Sequence, residues 1–163
     1  ATRHLLDRGH RRIAFFGGHR DSSSCRQRRQ GYREALAEAG IEPEPQWLVE
    51  CAPTRLEAAQ QTGALFVRDP APTAAVCYND AVALGLMAGA DFAVVGFDDI
   101  PEAAVASPPL TTIAVDPRAR GRQAAELILK RLREPAMPRA HTIAPVRLQA
   151  RSSSEVHLSG DSA

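Results

Sequence analysis

Short, unbroken apolar runs, each stopped by polar residues and followed by helical periodicity, constrain this chain more than any other feature. "RIAFFGG" carries one run at Ile13–Phe16, "TAAVCYND" a second at Ala74–Tyr78, and "FAVVGFDD" a third at Phe92–Phe97. None alternates apolar with polar residues, so each reads as a strand covered on both faces. Helical segments fall between them, and this alternation is the mark of an α/β fold with a parallel sheet and helices on both faces. Hydrophobic residues make up 44% of the 163 residues, enough for one domain with a sizeable core.

The chain can be divided by its punctuation. His4, Leu5 and Leu6 precede Gly9, the pattern of a helix with a glycine stop. Arg26–Ala39 reads as a helix with Tyr32, Leu36 and Ala39 on one face, ended by Gly40. Trp47–Val49 reads as a strand. Leu56–Val67 reads as a helix with Leu56, Ala59, Gly63 and Phe66 inward. Asp80–Met87 begins another helix. Thr111–Ile113 is β-branched and strand-like. Pro117–Leu132 is a long amphipathic helix with proline in its tolerated first turn. His141–Gln149 is a last strand, and the polar residues after Arg151 form a tail expected to be disordered.

Composition excludes several classes. Twenty basic against nineteen acidic residues give a net charge of +1, without the basic excess of a free-standing nucleic-acid binder. The basic residues are almost all arginine, with Lys130 the single lysine. Three cysteines, Cys25, Cys51 and Cys77, lack metal-ligand or redox-pair spacing and read as thiols of a reducing compartment. No apolar stretch reaches the 18 or so residues of a membrane span. His4, His10 and His19 offer no metal-ligand set, and His10 reads as a helix-end residue favoured by the dipole. Ser22–Ser24 lack a nucleophile elbow, and "FFGGHRDSSS" fails the dinucleotide fingerprint. Phe15, Phe16 and Tyr32 read as core.

In a parallel α/β sheet all strands deliver their carboxyl ends to one edge, where ligands bind. The loop His19–Ser24, Asn79-Asp80 and Asp98-Asp99 would therefore meet at one crevice. Asp80 and Asp99, each the second residue of its pair, read as caps of the following helices. Asn79 and Asp98 stand between ligand contact and structural hydrogen bonding.

"HLLDRGHRRIAFFGG", "RRQGYREALAEAGI", "PTAAVCYNDAVALG", "FAVVGFDDI" and "PPLTTIAVDPRARGRQAAELIL" occur in one order and spacing. Together they resemble the effector-binding core of LacI-family bacterial transcription regulators, with "ARSSS" resembling its end. The resemblance runs from Thr2 to about Ser153. It implies a two-lobed, periplasmic-binding-protein-like type I fold, of which this chain is mainly the second lobe. It further implies an effector-binding and dimerisation core over residues 1–151, with a helix over 117–133 returning to the first lobe, followed by a disordered tail over 152–163. A small-molecule effector, of sugar or nucleobase class, would bind between the lobes and tune operator DNA binding by an N-terminal helix-turn-helix. The family is cytoplasmic, acts as a homodimer through the helices after Thr54 and Asp80, and implies no catalytic residue, metal or cofactor.

Carried over by motif, the ligand-binding residues are Arg28, Asn79 and Asp98, with Ser24, Cys51 and Val115 as further wall residues. A planar guanidinium at Arg28 suits bidentate contact with hydroxyls or a carboxylate. Cys51 or Ala52 falls where the family often has a stacking aromatic, a departure that puts sugar stacking in question. No helix-turn-helix or first lobe precedes Ala1, so the chain by itself is expected not to read DNA in the family's way. "ALGLMAGADF" is about nine residues shorter than usual; it is either a deletion or incompletely given, and the ten or so residues that a strand–helix–strand crossover needs favour the second. A periplasmic sugar-binding protein of the same fold is the alternative. An α/β enzyme using Asp80, Asp98 or Asp99 is a third reading.

Overall fold

A computed structural model of the chain describes residues 1–67, 69–88 and 92–155. Six strands form one sheet: β1 (Ile13–Phe16), β2 (Leu48–Val49), β3 (Ala74–Cys77), β4 (Ala93–Asp98), β5 (Thr111–Ala114) and β6 (Arg147–Gln149), in the order β2-β1-β3-β4-β5-β6. All neighbours pair in parallel except β6, which lies antiparallel on β5. The helices are α1 (Thr2–Asp7), α2 (Ser23–Glu38), α3 (Arg55–Phe66), α4 (Asp80–Met87), α5 (Pro101–Val105) and α6 (Pro117–Arg133).

The unbroken apolar strands are explained by two cores. Along β1, Ala14 and Phe16 face one core while Ile13 and Phe15 face the other. β3 repeats this, with Ala75 and Cys77 on the first side and Ala74 and Val76 on the second. The first core is closed by Ala58 and Leu65 of α3, by Val82 and Leu86 of α4 and by Ala103 of α5. The second is closed by Leu5 of α1 and by Cys25, Tyr32 and Leu36 of α2. Period-2 side-chain alternation thus supplies both faces from the same four-residue strands. Tyr32 is fully buried yet satisfied, since its hydroxyl donates to the Ile13 carbonyl at 2.7 Å.

Several local expectations shift. α3 turns a different face inward: Ala58, Thr62 and Leu65 are buried, whereas Leu56 is 67% exposed and Ala59 and Gly63 are exposed. Composition misled here, because Thr62 satisfies its buried hydroxyl on the Ala58 carbonyl at 2.9 Å and so serves as a core residue. Ala39 is an exposed cap residue, its place on the inner face of α2 taken by Ala35. Trp47 ends a 3₁₀ turn over Pro45–Trp47, and strand geometry starts only at Leu48. The last strand is confined to Arg147–Gln149; residues 141–146 have no sheet partner. Ser152–Ser154, expected to begin a disordered tail, form a 3₁₀ turn with Ser153 and Ser154 buried. Ser153 accepts from the Thr111 amide at 2.8 Å and donates to the Val94 carbonyl at 2.7 Å, which ties the turn to β4 and β5. Residues 156–163, the connection at 89–91 and the side chain of Phe66 lie outside what the structure describes.

All three thiols are buried. Burial pushes each thiol's pKa upward, Cys51 to about 11 and Cys77 well above the usual value. His10 is also buried, and its Nδ1 bonds the Thr73 hydroxyl at 3.0 Å instead of simply facing the helix end.

Asp80 is the buried charge at the centre. Its Oδ1 accepts from the Thr112 hydroxyl at 2.5 Å and its Oδ2 from the Ile100 amide at 2.9 Å. It thereby joins α4, β5 and the start of α5. The carboxylate packs against Gly96 of β4 so closely that a Cβ there would lie 2.2 Å from Oδ1. Asp80→Ala strands two donors and is expected to lower unfolding free energy by ~3 kcal/mol or more. Asp80→Asn should cost clearly less, because an amide can accept from Ile100 and donate to Thr112; urea denaturation of both variants separates the two outcomes.

Burial, helped by Arg8, lowers the pKa of His10 and that of His4. The folded protein therefore prefers both imidazoles neutral. Their contribution is complete above the usual value of 6.5 and is lost as the pH falls below it. His10→Gln should retain more of its pH 7 stability at pH 5 than the wild type, measured by urea midpoints at the two pH values.

Candidate functional site

Parallel pairing places the ends of β1, β3, β4 and β5 at one edge. The register aligns Phe16 with Cys77, Val76 with Val95, and Asp98 with Ala114. Tyr78 and Phe97 are consequently level with each other at the ends of adjacent strands. Beyond β1, Gly17 and Gly18 take positive φ (91° and 81°), a turn that lets Tyr78 lie against the loop: a Cβ on Gly18 would be 2.8 Å from its ring. α2 then starts beneath this edge, with Ser22 as its N-cap accepting from the Cys25 amide.

The first turns of α2 carry Ser24 and Arg28 to the strand ends. Arg28 lies between two rings, its guanidinium carbon 3.7 Å from the Phe97 centroid and 4.6 Å from that of Tyr78. One of its N–H groups donates to the Tyr78 carbonyl. Another nitrogen stands 4.0 Å from Asp98 Oδ1, a long pairing that leaves both groups able to engage a third partner. Burial lowers the Arg28 pKa and raises that of Asp98, outweighing their mutual attraction in both cases. Ser24 joins the Tyr78 hydroxyl at 2.9 Å and Ser22 at 2.9 Å.

The structure thus brings Arg28, Asp98 and Ser24 into one cluster. Val115 follows β5 at the same edge, half-buried. Asn79 is half-buried there too, but its Oδ1 accepts from the Val82 amide at 3.0 Å as the N-cap of α4. The capping expectation is therefore reversed. The first residue of this pair caps, while the second, Asp80, is the buried crosslink, because the helix starts one residue earlier than a cap at Asp80 would require. Asp99 is not a cap either: it accepts from Arg151 Nη2 at 2.8 Å. Cys51 is a core residue beside Trp47, Val49 and Cys77, so it is not a wall of the cluster.

Tyr78 and Phe97 belong to the cluster as well, although the motifs do not single them out. The signal was present, since each occupies the position before a strand-end polar residue, in matched register. The arrangement offers a fixed fork of donors, a carboxylate acceptor and two ring faces, the equipment for holding a polar small molecule. Among the described residues, no group of three His, Cys, Asp or Glu could hold a metal ion.

Residues 2–154 match the family model for the periplasmic binding protein-like domain. The chain belongs to the periplasmic binding protein-like domain family. A similar sequence is the HTH-type transcriptional repressor PurR of Photobacterium profundum, 39% identical over 147 residues, which cover 82% of this chain and 43% of that protein. The transcriptional regulator CelR–cellobiose complex is a similar structure, with a TM-score of 0.86 and 31% identity over 94% of this chain and 50% of that one. The Lac repressor dimer bound to operator and the anti-inducer ONPF gives 0.84 and 32%, over 93% and 48%. The chain spans about half the length of the relatives it matches. The relatives are repressors and regulators, not enzymes. No helix among the described residues is long and apolar enough to cross a membrane.

Replacing Arg28 tests the cluster. Arg28→Lys keeps the charge but loses the planar stack and the bond to the Tyr78 carbonyl, and should cost ~1–2 kcal/mol. Tyr78→Phe keeps the ring and should cost under about 0.5 kcal/mol. Urea denaturation at neutral pH distinguishes them.

Proposed function

We propose that this chain is the effector-sensing part of a LacI-type transcription repressor, binding a small molecule of sugar or nucleobase class at the strand-end edge. The observation that carries this reading is the meeting of Arg28 and Asp98, seventy positions apart, at the carboxyl edge of the sheet, incompletely paired with each other. Arg28 and Asp98 hold the ligand directly. Ser24 and Val115 shape the wall, and the amide nitrogen of Asn79 supplies a donor. Phe97 and Tyr78 hold the Arg28 guanidinium in place between their rings. No covalent step takes place. The ligand favours one lobe arrangement, and operator binding responds through linkage.

Two surface features support the rest of the assembly. α6 buries none of its residues and exposes Ile128, Leu129 and Leu132, an apolar stripe suited to the first lobe. On the α3–α4 side, Leu56 and Val105 are exposed, and Arg55, Leu84, Met87 and Val105 line a hollow of about 300 Å³, suited to a homodimer partner. The repressor relatives favour this reading over a periplasmic sugar-binding protein. A cytoplasmic location goes with it.

Thermal unfolding of the full-length protein with ribose, cellobiose and free nucleobases tests the site. A ligand at a hundred times its Kd should stabilise the protein by about 2.7 kcal/mol. Arg28→Ala should abolish that gain while leaving a cooperative unfolding transition. Persistence of the gain in Arg28→Ala removes the site assignment. Sedimentation at micromolar concentration should return a dimer mass, lowered toward monomer by Leu56→Glu.

A further inference from the structure

The end of β4 has an unusual backbone. Asp98 and Asp99 have φ of 124° and 57°, both in the left-handed half of the map that residues with a Cβ avoid. Two such residues in succession persist only where surrounding contacts fix them. The contacts are visible on both sides. After the pair, the Ile100 amide is held by buried Asp80 at 2.9 Å, and Pro101 restricts Ile100 to the extended conformation it shows. Beside the pair, Arg151 reaches in from the segment following β6. Its Nη2 donates to Asp99 Oδ1 at 2.8 Å and its Nη1 to the Leu110 carbonyl at 2.7 Å. Arg151 is itself anchored, since its amide donates to Thr111 Oγ1 at 2.8 Å and its carbonyl accepts from that hydroxyl at 2.5 Å.

We infer that Arg151 is a positioning residue for the ligand site: by clamping Asp99 it holds the strained end of β4 so that the half-buried Asp98 carboxylate stays beside Arg28. Arg151 does not touch the ligand. The inference rests on the proposed role of Asp98, but its mechanical content is independent of any ligand. Without the clamp, the two aspartates relax toward ordinary backbone angles, and the Asp98 carboxylate swings out of its half-buried place above Arg28.

The test is a pH titration of the Asp98 carboxyl carbon by NMR, on the full-length protein without ligand, assigned by Asp98→Asn. Burial raises the wild-type midpoint above the usual carboxylate value. In Arg151→Met the midpoint should fall to the usual range as the carboxylate becomes hydrated. Loss of a nearby cation alone would move it the other way, so an unmoved or rising midpoint overturns the inference. Adding Asp99→Gly to Arg151→Met should restore the raised midpoint, because glycine adopts that backbone without a clamp. Failure of this rescue also overturns it. If Arg151→Met does not fold, Arg151→Lys, which cannot hold Asp99 and the Leu110 carbonyl at once, is titrated instead: a lowered midpoint supports the clamp, and an unmoved or rising one overturns it. Since no ligand enters the titration, its outcome is separate from that of the Arg28→Ala binding experiment.

Discussion

The carboxylate of Asp80 ties together elements that the chain delivers separately. It lies at the first residue of α4, accepts from β5 through Thr112 and from the start of α5 through Ile100, and packs on the bare backbone of Gly96 in β4. A buried carboxylate is tolerable only with its oxygens satisfied, and here both are. The requirement fixes how far α4, β4 and β5 can slide relative to one another. Through Ile100 it also fixes one end of the Asp98-Asp99 turn. The edge that carries the candidate site is therefore registered from inside the core.

The site itself is built from opposed demands. Arg28 is drawn out of water by two rings and a carbonyl, which disfavours its charge, while Asp98 faces it from a strained backbone at 4.0 Å. Neither group is fully satisfied by the other. On the proposed reading a ligand supplies hydrogen bonds to both, and the pair gains little from collapsing on itself, because closing the gap would disturb the rings or the turn. The outer faces are built differently: α6 and the α3–α4 surface leave apolar side chains in water.

Much of this was legible beforehand. Continuous apolar runs specify strands covered on two faces, and β1, β3, β4 and β5 fall within a residue of their expected bounds. Arg28 and Asp98 were placed by motif and do come together. What failed has physical causes. The inner face of α3 was misjudged because Thr62 hides its hydroxyl on its own helix. The cap of α4 fell on Asn79 and not on Asp80 because helix starts are set to within a residue by backbone geometry that composition does not encode. Ser153 and Ser154 looked like tail because their burial depends on hydrogen bonds to β4 and β5, contacts across long sequence separations. Tyr78 and Phe97 escaped notice because their shared role depends on strand register.

The buried thiols have a practical consequence. Cys25, Cys51 and Cys77 are the chain's only cysteines, all inaccessible and all held in the protonated form. Alkylating reagents need the exposed thiolate. A single cysteine introduced on an exposed position, such as His19 beside the strand-end loop, would take up a fluorophore selectively with the native residues left in place. The native thiols of these 163 residues are thus already silent to maleimide chemistry, and a dye at the strand-end edge can report on that edge without first stripping them.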